Sequence, residues 1–522
     1  MPAHPRRLRR FVLAVVLLVA VVLGAVATVA SRQPGDVSNP DVEFRQPGTT
    51  AVAPAEQKLN GKTKAFNWPV YGYDKARTRY LPLKQPFRPP FAERWKLGGS
   101  VLLEFPPALG GRSMFLLKDD GKLVAIARKS GKVRWRRELG HLAAASPAYA
   151  YGTVYVVVLE RGKGIKAGRV AAISARDGRT RWSRRLPSRS ESSPLVHRGV
   201  LYFGTENGTV YAMDTRNGKI RWTHKAGGAV KGGLALDGGR LFLGAYGGTV
   251  EALDPSTGRL LWRKGTNGGP LGLRSGNFYA TPSAAFGRLY IGNTDGFVYS
   301  FAQSDGRLAW RTKTGDYVYG SAAVAAVPGT GPTVYLGSYD RNFYALNART
   351  GKVRWKRRTE GRVSGGAVLL GDLVWYSTLA RTTTALRARD GRRIWFTRRG
   401  GFNPVVSTGR GIFLVGYTNL YGLDGRPPKT GAQAVADRKA RQKEARRIAL
   451  IRRVMRREEA LNRRVAARQA AVRHRRALIA RGTVFCTKAG GRTVCRRPRP
   501  LVCFKRERDG RTICRPRAVG RR

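Results

Sequence analysis

Several residue types are scarce in this chain, and each scarcity removes a class of function. Acidic residues number 32 against 98 lysines and arginines, a formal net charge of +66 over 522 residues. No cysteine precedes Cys486, so thiolate nucleophiles, disulfides and cysteine-held metals are excluded from everything before it. The five histidines, His4, His141, His197, His224 and His474, are scattered without ligand spacing. There is no G-x-x-x-x-G-K-[ST] segment to cradle phosphate. The serines at 188, 190, 192 and 193 form no nucleophile elbow and read as a loop leading into a strand. From 66 to 425 no helical periodicity of apolar residues occurs, which excludes a helical bundle there.

What is present is a repeat. Trp95, Trp135, Trp182, Trp222, Trp262, Trp310, Trp355 and Trp395 follow one another at steps of 40, 47, 40, 40, 48, 45 and 40 residues. The surroundings repeat with them, as in TVYAMDTRNGKIRW, TVEALDPSTGRLLW and NFYALNARTGKVRW. Each copy is an alternating apolar strand, a polar turn ending in glycine four residues before Trp, and a second strand ending in Trp. Upstream segments such as LYFGTENG and LYIGNTDG supply a further strand pair. Four short strands per period of 40 to 50 residues describe a propeller blade, whose faces are buried only by its neighbours, with Trp as the apolar wedge. FAERWKLGG carries Trp95 before any complete repeat, and GIFLVGYTNLYGLDG (411–425) has inner strands but no Trp-ending strand. The two fragments complete one blade. The expectation is an all-β, eight-bladed β-propeller of four-stranded blades over 66–425, closed by sharing N- and C-terminal strands, with no free sheet edge at the seam.

The A-L-D-x-x-T-G-K-x-x-W pattern resembles the tryptophan-docking repeat of PQQ-type (pyrroloquinoline quinone) propellers, and WPVYGYDKARTRYLPL (68–83) resembles that family's start. The family includes quinoprotein alcohol dehydrogenases and the propeller lipoprotein of the outer-membrane β-barrel assembly machinery. For the enzymes, the resemblance implies a vicinal cysteine pair over the cofactor, calcium held by Glu, Asn and Asp, and an Asp base. This propeller has no cysteine and no acidic cluster beyond its turns and Asp119-Asp120, a pair read as solvated between Lys118 and Lys122. Neither cofactor nor metal is therefore expected, with PQQ as the alternative.

The ends place the propeller in a compartment. Residues 11–30 are an unbroken run of apolar and small residues, preceded by a basic segment at 1–10 and followed by Asp36, Asp41 and Glu43. This reads as a transmembrane signal anchor with the N-terminus cytoplasmic, and a cleaved signal peptide is the rival. Residues 31–65 read as a flexible linker and 426–436 as a second. From Thr430 to Arg522 there are 30 Lys and Arg against 6 Asp and Glu. Within this tail, 437–481 reads as a basic amphipathic helix, suited to an anionic membrane surface, a partner helix, or docking on the propeller. In 482–522, VFCTKAGGRTVC and LVCFKRERDGRTIC read as two hairpins. A Gly490-Gly491 turn sets Cys486 opposite Cys495, and a four-residue loop sets Cys503 opposite Cys514. Two disulfides are expected, zinc being the alternative. The charge points to anionic envelope polymers, lipid head groups or envelope proteins as partners, or else to compositional bias alone; nucleic acid is not expected outside the cytoplasm. The longest blade connection, 264–282, offers Arg274, Asn277, Phe278 and Tyr279 as a partner-binding loop, or is merely a longer connection. The leading reading is a membrane-anchored, non-enzymatic binding scaffold. A PQQ-dependent dehydrogenase and an envelope-protein assembly factor are the alternatives.

Overall fold

The computed structural model describes residues 36–46, 68–83, 86–160, 167–266 and 276–425, helical residues between 442 and 471, and four short strands within 485–516. Two compact units result, Met1–Pro427 and Pro428–Arg522.

The first unit is an eight-bladed propeller. Blade 1 spans 108–138, blade 2 148–186, blade 3 195–225, blade 4 235–265, blade 5 283–313, blade 6 323–358 and blade 7 368–397, each an antiparallel meander in chain order. Blade 8 takes three strands from 405–424, and its outermost strand is Ala92–Leu97, paired antiparallel to Leu420–Asp424 with Trp95 opposite Gly422. The first strands of most neighbouring blades touch, which places them around the axis. Middle strands such as Thr153–Leu159 and Leu373–Thr378 are buried along their whole length, whereas the outermost strands are exposed and basic, as in VRWRRE and VRWKRR. A sheet covered on both faces demands unbroken apolar runs, and a charged outer edge discourages pairing with other chains.

The tryptophans act between blades. Trp182 Nε1 donates to Thr215 O at 2.9 Å, Trp262 to Gln303 O at 3.0 Å, Trp310 to Ala348 O at 2.9 Å and Trp355 to Ala388 O at 3.0 Å, each carbonyl lying in the next blade's last turn. The indole lies flat on the glycine of that turn. Gly131, Gly178, Gly218, Gly258, Gly306, Gly351 and Gly391 all have positive φ. A Cβ on any of them would come within 2.5 to 2.9 Å of an indole atom. Glycine is thus required twice there, for the left-handed backbone and for the ring above it. The side chain two residues after Trp often adds a clip: Arg184 to Asn217 O at 3.0 Å, Thr312 to Gly351 O at 2.8 Å, Arg357 to Gly391 O at 3.1 Å. Trp95 closes the ring by the same means, with Nε1 on Arg128 O of blade 1 at 3.2 Å. Trp395 packs against Phe91 and Trp375.

Segment 68–83 plugs one end of the channel. Its carbonyls at Pro69, Lys75, Ala76, Thr78, Arg79 and Leu81 accept N–H groups of blades 2, 4, 5, 6 and 7. Trp68 bridges to Leu109 of blade 1, and Tyr80–Leu81 adds a parallel strand to Val368–Leu370. Arg77, wholly buried, donates to the carbonyls of Tyr71, Ser193, Pro194 and Leu234. Burial, with Arg79 beside it, lowers its pKa to about 9.

The linker reading of 31–65 is corrected at 36–46. Val37–Ser38 adds a fifth strand to the outer edge of blade 5, and Asp36 Oδ1 accepts the Lys313 N–H at 2.7 Å. Buried Arg288 donates to the carbonyls of Pro40, Val42 and Glu43, and Phe44 lies against Phe286. An unpaired edge and a buried guanidinium together hold a segment whose composition suggested only a tether.

In the second unit residues 445–453 and 455–460 are helical, with Leu450 exposed. Two hairpins pair Phe485–Ala489 with Arg492–Arg496 and Leu501–Lys505 with Thr512–Pro516, setting Cys486 opposite Cys495 and Cys503 opposite Cys514. No helix among the described residues is long and apolar enough to cross a membrane; the anchor read at 11–30 lies outside them.

Candidate functional site

At the end of the channel away from the plug, every blade sends in the connection that precedes its first strand. Two residues before that strand stand Pro106, Ser146, Ser193, Gly233, Thr281, Ser321, Gly366 and Asn403. They form a lower ring linked from blade to blade. Ser146 N–H donates to Ser193 Oγ at 3.0 Å, Gly233 N–H to Thr281 Oγ1 at 2.8 Å, Thr281 N–H to Ser321 Oγ at 3.0 Å, and Gly366 N–H to Asn403 Oδ1 at 3.3 Å. A short hydroxyl or amide satisfies a backbone donor that the axis would otherwise leave unpaired.

Two residues further out stand Glu104, Ala144, Glu191, Lys231, Tyr279, Tyr319, Ser364 and Gly401, an upper ring that differs at almost every blade. Most of these, with Phe105, Phe402 and Tyr71, line a pit of about 40 Å³. Lys231 Nζ bridges Glu191 at 2.7 Å and Glu206 at 3.3 Å, and the Tyr279 hydroxyl donates to Glu191 Oε2 at 3.2 Å. Burial raises Glu191, with the Lys231 hydrogen bond opposing it, and raises Tyr279, with Glu191 and Glu104 adding to it. The Glu104 carboxyl is pushed up to about 7 by burial and by the nearby Asp119 and Glu191. Asp119, read from sequence as solvated, is instead half-buried: burial raises it to about 6, although it accepts the Glu104 N–H. Its turn folds inward under the connection that carries Glu104, which sequence alone does not reveal.

Of the residues proposed as a binding loop, the structure brings only Tyr279 to the pit. Phe278 is wholly buried between blades 4 and 5, edge-on to Tyr299. Asn277 fastens the connection, its Oδ1 accepting the Gly247 N–H at 2.9 Å and its N–H donating to Thr294 Oγ1 at 2.7 Å. Arg274 lies outside the described residues. Alternating burial explains the loss: a chain crossing the rim points one side chain into the inter-blade core and the next into the channel. Sequence reading missed the upper ring, although aligning the blades on their first strands would have isolated that position. Among the described residues no group of His, Cys, Asp and Glu is arranged to hold a metal ion.

The profile of the family described as outer membrane protein assembly factor BamB matches residues 91–229, 166–395 and 294–497, overlapping as expected of a tandem repeat. The chain belongs to this family. BamB from Moraxella catarrhalis is a structural neighbour at 17% identity and a TM-score of 0.51, over 64% of this chain and 99% of that one. The quinohemoprotein alcohol dehydrogenase from Comamonas testosteroni superposes at 15% identity and a TM-score of 0.57, over 73% of this chain and 85% of that one. A europium-containing methanol dehydrogenase gives 14% and 0.56, over 69% of this chain and 98% of that one. At such identities the likeness extends to the fold. No curated protein sequence matches this chain. An outer membrane protein assembly factor and alcohol and methanol dehydrogenases thus share its architecture, and the residues at the mouth must decide between such roles.

Proposed function

We propose that this protein is a non-enzymatic binding scaffold of the cell envelope, whose propeller mouth engages protein partners. One observation carries the reading: the upper ring changes chemistry from blade to blade while the ring beneath it is uniformly structural. A repeat that varies in a half-buried layer lining its mouth while keeping the glycine of its docking turns has the makings of a recognition surface. Membership of the BamB family supports envelope proteins as the partners.

The pit argues against PQQ. A tricyclic quinone bearing several carboxylates needs a pocket on the order of 300 Å³ or more and cationic partners. Tyr279, Tyr319, Phe105 and Phe402 leave about 40 Å³, and the wall carries Glu104 and Glu191. Lys231 is already engaged by two carboxylates, and Arg77 by four carbonyls. Titrating the purified protein with PQQ in the presence of calcium tests the reading. The expected result is no saturable binding; stoichiometric uptake with dye-linked oxidation of an alcohol would establish the dehydrogenase instead. Crosslinking in cells that recovers a consistent set of envelope proteins supports the scaffold.

The same proposal includes residues 11–30 as an uncleaved membrane anchor, the propeller and tail outside the cytoplasm, and the basic helix of 437–481 on anionic lipid or polymer. It also includes disulfides Cys486–Cys495 and Cys503–Cys514, supported by their directly opposed strand positions.

A further inference from the structure

The acids at the mouth are tied into the fold. In the second-to-third-strand turns, Asp119 accepts the Glu104 N–H, Asp120 pairs with Lys122 at 3.2 Å, Glu206 with Lys231 at 3.3 Å, and Asp295 accepts from the Tyr299 hydroxyl at 2.6 Å. Across blades 5 to 8 the face carries an arc of aromatic, aliphatic and arginine side chains. Exposed Tyr317 lies 6.3 Å from Tyr339, whose ring sits under Arg362 at 5.5 Å. Leu379 N–H donates to Arg362 O, and Arg381 stacks over Tyr417 at 4.1 Å. Tyr317 is 47% exposed, Leu379 39% and Tyr417 37%, large apolar surfaces that the fold leaves uncovered. The acids within this arc are occupied: Asp340 accepts from Tyr344 and the Gly315 N–H, Glu360 pairs with Arg393 at 2.6 Å, and Asp316 accepts the Tyr317 N–H.

Where the N-terminal strap begins gives this arc its partner. Asp36 is pinned to Lys313, four residues before Tyr317 and at the mouth end of blade 5. Only residues 31–35 separate it from the apolar run of 11–30. Five residues fully extended reach about 18 Å. With 11–30 in a bilayer, the blade 5 edge of the mouth is held close to the membrane surface, whatever the length of the chain from 47 to 67. Amphipathic rings and arginines are the side chains that settle in the head-group region, the first by their dual character, the second by attraction to anionic lipid.

We propose that the arc Tyr317–Tyr339–Arg362–Leu379–Arg381–Tyr417 rests on the anionic head groups of the membrane that holds the chain. This rests on the reading of 11–30 as an anchor.

The test uses the full chain in nanodiscs of either anionic or zwitterionic lipid, with hydrogen exchange as readout. Backbone amides of 315–319, 378–381 and 416–419 are expected to exchange about tenfold more slowly on the anionic discs, with Tyr151 on the opposite face unchanged. The pair Arg362→Glu and Arg381→Glu, and separately the triple Tyr317→Ser, Leu379→Ser and Tyr417→Ser, remove that protection while the melting temperature holds. Equal exchange on both lipids overturns the proposal, as does protection around Tyr151. Variants that lose crosslinked proteins but keep the lipid-dependent protection also overturn it, assigning the arc to a protein. Extraction of the native chain by alkaline carbonate would refute the anchor by itself. Exchange of that extracted chain on anionic vesicles would then judge the arc independently.

Discussion

The docking layer and the mouth layer of this propeller are built from the same repeat under opposite constraints. In the docking layer every blade but the seventh, whose Trp395 packs against Phe91, repeats one solution: indole on glycine, Nε1 on the following blade's carbonyl, and often a clip two residues on. In the mouth layer, Glu104, Glu191, Lys231, Tyr279 and Tyr319 occupy equivalent places with unrelated chemistry. Close packing leaves the first layer no freedom, because a changed volume there is felt by two blades at once. The second layer lines the open pit, is only half-buried, and is freer to differ.

That contrast breaks most visibly at Trp310, the one docking tryptophan with no exposed surface. Trp310→Ala should cost about 4 kcal/mol in chemical denaturation, from the cavity and the lost indole hydrogen bond to the Ala348 carbonyl. The half-exposed Trp222 should cost clearly less. Arg77→Met should cost about 3 kcal/mol, since the buried carbonyls of Tyr71, Ser193, Pro194 and Leu234 lose their donor. Gly351→Ala should cost about 2 kcal/mol, combining a left-handed residue with a Cβ placed 2.8 Å from the Trp310 ring.

At the mouth, effects should be smaller and pH-dependent. Glu104 titrates at about 7 when folded, above its ordinary value of 4.5. The folded state therefore binds the proton more tightly than the unfolded state. The stability this adds is complete below about 4.5 and is lost as pH rises through about 7. Glu104→Gln has no carboxylate to ionise. It should match the parent at pH 5 and exceed it by about 1 kcal/mol at pH 8, after allowance for partial exposure. Equal stability at both values would mean the carboxylate is solvated. The smallest effect is expected from the tail: reduction with dithiothreitol should shift the mass of 482–522 peptides while leaving the propeller melting temperature unchanged. A fall of several degrees would show that the hairpins stabilise the ring.

The architecture was legible because the repeat is periodic and punctuated. Trp and Gly at fixed spacing gave the blade and its copy number, and the mismatched ends at Trp95 and 411–425 gave the closure. Within the loop read as a recognition element, Phe278 and Tyr279, neighbours of similar composition, go to opposite environments, the first into the core and the second to the pit. The strap at 36–46 was hidden because its affinity lies in its partner, buried Arg288 and the open edge of blade 5, rather than in its own residues.

By itself the sequence determined the all-β repeat, the eight-fold count and the family, since these follow from local strand and turn preferences recurring along the chain. Only the tertiary structure decided which residues meet at the axis, and that Asp119 turns inward while Tyr317, Leu379 and Tyr417 turn out. Such choices depend on contacts between neighbouring blades and their connections, as between Asp119 and the Glu104 N–H or Arg381 and Tyr417, and no local pattern of side chains encodes which neighbour will cover which face.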